Sequence, residues 1–439
     1  MAEASALTHA TIVTGDAAGT VLLDRTVEVG SDGLISSVAP SADARPAPGA
    51  RVIDLSGKYL VPGLINAHAH LFSDGKRLPP ALTKKSVEGA VTAFFHSPAG
   101  AAMLRRRTRA NVQAQLAGGV TTLRSVGDVR YEVVAVRDEI EAGRMPGPRV
   151  LASGPLLAAS GGHGAPLIAL VSDDPWGARR NVRLNLRKGV NAIKISATGG
   201  VTDARAVGEA GRPQMTEAEM AAICEEAHNA DIVVAAHAQS VEGAKRALRA
   251  GVDTIEHGCE LDEELIALFH DNPRALRGWS ALVPTFQPAL PLVKLGQSVT
   301  GIDDVVRANA EIVVERMIAG VQGAVAHGIR IGFGSDSGLT YVTHYNTWRE
   351  LDLASRYGGL TPAQALHAAT GANAEILGIA DVTGAIEPGK AADFVVLRSN
   401  PLEGFRAFAD IELVCARGHV IERPAVSRFD EIDRQLDSF

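Results

Sequence analysis

Three cysteines in 439 residues, Cys224, Cys259 and Cys415, are too few and too scattered for a disulfide framework or a thiolate metal site. Cys224 and Cys415 read as core residues, while Cys259 follows a histidine that returns below. Basic blocks are equally scarce. With a net charge of −7, a pI near 6.0 and only the short Arg105-Arg106-Arg107 triplet, the chain does not read as a nucleic-acid binder. The triplet itself is expected on a solvated helix face. No apolar stretch approaches the ~20 residues that span a bilayer. The first ten residues lack a charged segment followed by an apolar one, so a cytoplasmic protein without membrane contact is expected. No internal repeat or low-complexity tract is present. What the chain does have is 46% hydrophobic residues and 45 glycines, enough for a large core.

The first segment, 1–58, carries short β-patterned runs such as Ala10-Thr11-Ile12-Val13-Thr14, punctuated by Gly, Asp and Pro. The same texture returns in 381–439, in Asp393-Phe394-Val395-Val396-Leu397 and Ile411-Glu412-Leu413-Val414-Cys415. The two ends are therefore expected to share one small β-sandwich domain. Between them, over 59–380, eight strand candidates alternate with Ala-rich helical patterns: 60–67, 120–126, 149–154, 191–196, 231–236, 252–256, 281–286 and 329–335. Eight strands with crossover helices predict a (β/α)8 TIM-type barrel, with a doubly wound open sheet as the competing architecture. Helix starts are marked by the capping box at Thr216-Glu217-Ala218-Glu219 and by Thr361-Pro362, and a stop by Gly251 after Val241 to Ala250. Four prolines between Pro273 and Gly301 predict an excursion around the seventh strand.

His68 and His70 close the apolar run Leu60 to Ala67, and side chains two apart on a strand share a face. Alone, the pair is as compatible with a strand leaving the core as with metal binding. The other strand ends carry Lys194, His237, His257 and Asp336. Each of these has a plain alternative: a hydrogen-bonded core-edge histidine, a lysine reaching solvent, a turn aspartate. Together they are hard to derive from packing and turns alone. Active sites of such barrels lie at the C-terminal ends of the strands, and four imidazoles with a carboxylate supply nitrogen and oxygen ligands for a Zn²⁺-like ion. A lysine inside a strand needs a partner or a modification, because a bare buried ammonium is costly.

At these residues the chain resembles the metal-dependent amidohydrolase superfamily over nearly its whole length. The matching elements are Pro62-Gly63-Leu64-Ile65-Asn66-Ala67-His68-Ala69-His70, Gly119-Val120-Thr121-Thr122, Lys194, His237, Ile255-Glu256-His257-Gly258, Gly334-Ser335-Asp336 and the stretch Gly384 to Phe394. The resemblance implies two divalent metal ions, usually zinc. It places His68, His70 and Asp336 on one ion and His237 and His257 on the other, with Lys194 bridging as a CO₂-derived carbamate. It also implies a metal-activated hydroxide, with Asp336 as the base that takes the water's proton and the acid that returns it to the leaving amine.

The run Ser160-Gly161-Gly162-His163-Gly164 looks like the loop of amidohydrolases acting as Xaa-Pro dipeptidases and carboxypeptidases, a branch that includes ochratoxin-hydrolysing enzymes. By that resemblance His163 donates to the scissile carbonyl; the bland alternative is a glycine-flanked loop histidine without a role. Gln239 stands two residues after His237, where such peptidases often carry Tyr or His against the substrate's carboxylate. An amide has no charge and a different reach. His344 is a secondary candidate for substrate contact. The apolar stretches Pro79-Pro80-Ala81-Leu82 and Val283 to Pro288 are pocket walls or ordinary packing. The expected activity is cleavage of an amide bond in a small substrate: an N-acyl amino acid, a dipeptide or an ochratoxin-like amide. The alternatives are a urea, thiocarbamate or cyclic amide, or a barrel that holds metal without turnover. Related amidohydrolases imply a homo-oligomer.

Overall fold

The first apolar run, 60–67, folds as two strands that belong to different sheets. In the computed structural model, which describes residues 3–77 and 85–439, Tyr59–Pro62 pairs antiparallel with Phe394–Leu397, whereas Leu64–Ala69 pairs in parallel with Val120–Ser125. The chain changes sheet at Gly63, whose N–H donates to Asp393 O while Leu64 donates to Gly119 O.

The first of these sheets draws on both chain ends, as the shared texture anticipates. It has eight strands, with Ser5–Val13, Val21–Val29, Ile35–Pro40, Arg51–Asp54 and Tyr59–Pro62 from one end and Phe394–Leu397, Leu413–Ala416 and His419–Glu422 from the other. Hydrogen bonding joins all eight in one sheet. Its apolar residues, among them Leu7, Ile12, Val27, Leu60, Phe394 and Val396, pack as one buried cluster.

The remaining strands are parallel and form two ladders. One holds Leu64–Ala69, Val120–Ser125 and Arg149–Leu151; the other runs Ala169–Val171, Leu156–Ala158, Ile193–Ser196, Val234–Ala238, Thr254–His257, Ala281–Val283. The third expected strand, 149–154, breaks early because Gly154 sits at φ 66° and Pro155 has no N–H to give. Its pairing is resumed by Leu156–Ala158 against Ile195, and the seam is bridged by Asn191 N–H to Ala152 O at 2.7 Å. The eighth expected strand, 329–335, is not regular either. It is extended backbone bonded to both ladders outside any regular strand, with Leu282 N–H to Arg330 O at 2.9 Å and Gly332 N–H to Leu282 O at 2.8 Å on one side, and Ala67 N–H to Phe333 O at 3.0 Å and Asp336 N–H to His68 O at 2.8 Å on the other.

Helices separate the strands, including Pro98–Ala117, Glu132–Glu141, Pro175–Arg187, Glu217–His228, Val241–Ala250, Glu263–His270, Asp304–Ala326 and Trp348–Gly358. The capping boxes at Thr216 and Thr361 are formed, and Gly251 closes its helix at φ 104°. Pro273 to Gly301 is the expected excursion, with the short helices Leu290–Lys294 and Gln297–Thr300 after the seventh strand. Among the described residues no helix is long and apolar enough to cross a membrane. All three cysteines are buried and free.

The arginine triplet is more than a solvated face. Arg105 and Arg109, one helical turn apart, both hold Glu139 of the next helix, with Arg109 Nε at 2.6 Å from one carboxylate oxygen and Nη2 at 2.8 Å from the other. Arg107 donates to Phe72 O at 3.2 Å. The Arg109 hydrogen bond, with Arg105 beside it, holds the Glu139 carboxyl at about 2, against an ordinary 4.5. A depressed carboxyl stabilises the fold above its unfolded value and loses that contribution as pH falls through the folded one. Glu139→Gln is therefore expected to flatten the acid limb of stability between about pH 4.5 and 2, followed by urea unfolding at fixed pH. Parallel curves for the variant and the wild type in that range would refute the assignment.

Candidate active site

The strand ends bring the expected residues together. His68 lies near the end of Leu64–Ala69 and His70 one residue beyond it; His237 is in Val234–Ala238; His257 ends its strand; Asp336 lies on the irregular eighth segment. Adjacent registers set Ser196 beside His237 and Ala238 beside His257. His257 and Asp336 have left-handed backbones, φ 68° and 55°. That conformation costs a non-glycine residue about 1–3 kcal/mol and is found where a side chain must be re-aimed at a functional site. The eighth segment reaches the first strand only because residue 334 is glycine: a Cβ there would stand 2.5 Å from the His68 Cβ. Asn66 completes the join, accepting from Ser335 N–H at 3.0 Å and donating to Ser335 Oγ at 2.8 Å.

Hydrogen-bond partners fix which imidazole nitrogens remain free. A carbonyl or carboxylate oxygen can only accept, so the nitrogen facing it carries the proton. His70 Nδ1 faces Gly127 O at 3.3 Å and His237 Nε2 faces Gly199 O at 3.2 Å. His68 Nδ1 faces Glu256 Oε2 at 2.6 Å. The other nitrogens, Nε2 of His68 and His70, lie 3.4 and 3.2 Å from Asp336 Oδ1. Ligand atoms of His68, His257 and Asp336 lie within 4.8 Å of one another. The His237 ring continues the cluster at 4.5 Å from His257, centroid to centroid.

Electrostatics sharpen the mismatch. Burial pushes His68, His237 and His257 well below the ordinary imidazole value, so these rings are neutral near pH 7. Burial raises the Asp336 carboxyl, and only positive charge beside it brings it down to about 2. A carboxylate that calls for positive charge is thus surrounded by imidazoles of which His68, His237 and His257 are kept neutral by burial. Among the described residues, Asp336 Oδ1 and Lys194 Nζ have no hydrogen-bond partner although both are buried. Burial lowers Lys194 to about 8 against the opposing pull of Glu256 and Asp336. Unmatched acceptors of this kind, all nitrogen and oxygen, fit divalent cations.

His163 also reaches the cluster. Its ring stacks on His237 with centroids 4.3 Å apart, its Nδ1 is hydrogen-bonded to Asp203, and its N–H donates to Gln214 Oε1 at 2.8 Å. A Cβ on residue 200 would stand 2.5 Å from that ring, so Gly200 leaves it the space it occupies. Gln239 is buried beyond His237, with its Oε1 unpartnered among the described residues. His344 spends both nitrogens within the protein, Nε2 on Ser73 O at 2.7 Å and Nδ1 on Gln115 Nε2 at 3.2 Å. Of the two apolar stretches, Pro79 to Leu82 lies outside the described residues. Val283, Thr285, Phe286 and Gln287 in the other are buried, and Thr285 Oγ1 meets His257 Nδ1 at 2.7 Å. Cys259 is buried, and burial pushes its thiol up.

Sequence reasoning assigned no role to Arg124, Thr254 or Glu256, which lie fully or almost fully buried next to His68. Arg124 Nη2 donates to Glu256 Oε1 at 2.8 Å and its Nε to Ala67 O at 2.7 Å, while Thr254 Oγ1 donates to Glu256 Oε1 at 2.6 Å. The available signal was a charge of each sign inside an apolar strand run, Leu123-Arg124 and Ile255-Glu256. Buried charges are paired.

A model of the amidohydrolase family matches residues 59–421. The chain belongs to the amidohydrolase family. It is 27% identical over 402 residues to ochratoxinase from Aspergillus niger, covering 85% of this chain and 77% of that one. Among solved structures it is similar to a protein described as a candidate prolidase from Bifidobacterium longum. That match has 50% identity and a TM-score of 0.89, covering 100% of this chain and 99% of the other. A Xaa-Pro dipeptidase crystallised with methionine bound in its active site aligns at 26% identity and TM-score 0.80, over 96% of this chain and all of that one.

Proposed function

We propose that this amidohydrolase cleaves the amide bond of a small substrate, an N-acyl amino acid, a dipeptide or an ochratoxin-like amide, with two divalent metal ions bound at the strand ends. The observation that carries the reading is the convergence of His68 and His70 Nε2 on the buried, unpartnered Asp336 Oδ1 beside the unpartnered Lys194. The likeness to ochratoxinase and to a Xaa-Pro dipeptidase supports an amide as the bond cleaved. The two seams of the parallel ladders read as the closure of one (β/α)8 barrel, which puts these residues at one mouth.

His68, His70 and Asp336 would hold one ion, His237 and His257 the other, and Lys194 would bridge as a carbamate formed by attack of its neutral amine on CO₂. When bound, the ions supply Lewis acidity and a water of lowered pKa. Asp336 accepts the proton of the attacking water as its oxygen bonds the carbonyl carbon. Asp336 then returns that proton to the nitrogen as the C–N bond breaks and its electron pair goes to the amine. His163, hydrogen-bonded to Asp203 through Nδ1, is the group placed to donate from Nε2 to the carbonyl oxygen while negative charge develops there. Gln239 offers its unpartnered amide to the substrate's polar end. His344 would meet the substrate only by giving up a bond it now makes.

Asp336→Asn keeps the side chain's shape but cannot carry the proton, and turnover is expected to fall by roughly 10²–10⁴-fold in a protein that still folds. Near-normal kcat would remove Asp336 as the acid–base group. Lys194→Ala is expected to lose part of the metal measured by atomic absorption, together with most turnover; wild-type metal content would reject the bridge. The substrate class is tested with metal-loaded enzyme on N-acyl-Phe, Xaa-Pro dipeptides, an ochratoxin, a phenylurea and a lactam. Hydrolysis confined to the last two would overturn the amide reading, and failure on all five would leave a metal-holding barrel without turnover.

A further inference from the structure

We infer that Glu256, anchored by Arg124 and Thr254, is a positioning residue that sets the tautomer of His68 and thereby gives the metal centre one of its ligands. The inference rests on the proposed metal centre and adds a part to it.

The geometry leaves the carboxylate little freedom. Glu256 is fully buried, and its Oε1 receives Arg124 Nη2–H at 2.8 Å and Thr254 Oγ1–H at 2.6 Å. Only Oε2 remains for His68 Nδ1, at 2.6 Å, and a carboxylate oxygen in that position demands a proton on Nδ1. Nε2 is then a lone-pair donor turned toward Asp336 Oδ1. Arg124 fixes the other half of the arrangement by holding Ala67 O, the carbonyl preceding His68, at 2.7 Å. Backbone and ring of His68 are thus located from one guanidinium.

A neutral isostere breaks this logic without changing volume. In Glu256→Gln the amide must choose: with its oxygen toward the two donors, Arg124 and Thr254, its NH₂ faces His68 Nδ1. That nitrogen then has to accept, which moves the ring proton to Nε2 and removes the lone pair aimed at the centre. Outer partners of ligating histidines typically carry ~10–100-fold in metal affinity. The removal of a buried charge beside Arg124 also threatens folding. Thr254→Val is the milder companion, since it deletes one hydrogen bond to the carboxylate and keeps shape and charge.

The test is a titration of Zn²⁺, and of Co²⁺ followed by its visible absorption, into chelator-treated wild type, Glu256→Gln, Thr254→Val and a control, Arg149→Met. The control breaks a buried pair remote from the histidines, Arg149 with Asp393 at 2.9 Å. Expected are a ~10–100-fold weaker affinity and an altered Co²⁺ spectrum in Glu256→Gln, a smaller loss in Thr254→Val, and no change of affinity in the control despite lower stability. Affinity within twofold of wild type in a folded Glu256→Gln overturns the inference. If that variant does not fold, unchanged affinity in Thr254→Val overturns it. Equal weakening in Arg149→Met would also do so, by showing a general loss of stability. A wild type that binds neither ion defeats the metal centre itself, which is a separate failure.

Discussion

Polar groups shut away from water must find their partners inside the protein, and the strand ends of this chain are arranged around that constraint. Four histidines, a carboxylate and an amine are buried together, where a solvated alternative does not exist. The protein meets one nitrogen of three of the rings with an oxygen that only accepts, Gly127 O for His70, Gly199 O for His237 and Glu256 for His68, and sets the Thr285 hydroxyl against His257 Nδ1. It leaves the inward side unsatisfied. Such selective neglect is not what packing would produce, because a buried acceptor left without a donor costs ~1–3 kcal/mol. The outward bonds give the inward lone pairs their direction.

The irregular backbone follows from the same requirement. A regular eighth strand would alternate its side chains between two faces and keep Asp336 in extended conformation. Here the residue turns to φ 55° instead, and the segment gives up ladder hydrogen bonds to allow it. The deficit is met by side chains. Asn373 Nδ2 donates to Ile65 O at 2.6 Å and to Phe333 O at 2.8 Å, and its Oδ1 accepts from Phe333 N–H at 3.1 Å. Together with Asn66 on Ser335, these amides hold the segment against the first strand where the backbone ladder lapses. The strain at Asp336 and His257 is tolerated because the surroundings determine both positions several times over.

This division explains what the sequence disclosed. Taken singly, each of His68, His70, Lys194, His237, His257 and Asp336 has an ordinary packing or turn explanation, and the site was legible only from their joint recurrence at the ends of apolar strands. Asn66, Asn373 and Gly334 were not, since each is an ordinary residue whose work is defined by a partner about 270 to 310 positions away, as in Asn66 to Ser335 or Ile65 to Asn373. Gly63 and Gly154-Pro155 were readable breaks inside the strand candidates 60–67 and 149–154, but a hydrophobic pattern alone runs through them. Arg124 and Glu256 announced buried charges without announcing that they meet. Asp203 sits in a loop of polar and small residues, Thr202-Asp203-Ala204-Arg205, where nothing local marks it as the partner of a histidine 40 residues earlier.

The candidate ligands and the candidate substrate contacts therefore sit on different kinds of support. The candidate ligands stand on or beside strands whose registers are fixed by parallel ladders and whose rings are held by buried oxygens. His163 and Asp203 come from two separate connections, one between Leu156–Ala158 and Ala169–Val171 and the other between Ile193–Ser196 and the helix Glu217–His228. The contact between them is what joins these loops over His237, reinforced by Gln214 on the His163 N–H and by Ser196 Oγ donating to His163 O at 3.0 Å. A loop position is free to change without disturbing the ladder beneath it. The uncharged Gln239 follows the same logic, since its side chain can change while its backbone N–H stays fixed to Thr198 Oγ1 at 3.2 Å. The strand-end cluster is thus fixed by the ladders beneath it, while residues 163, 203 and 239 can vary without moving it.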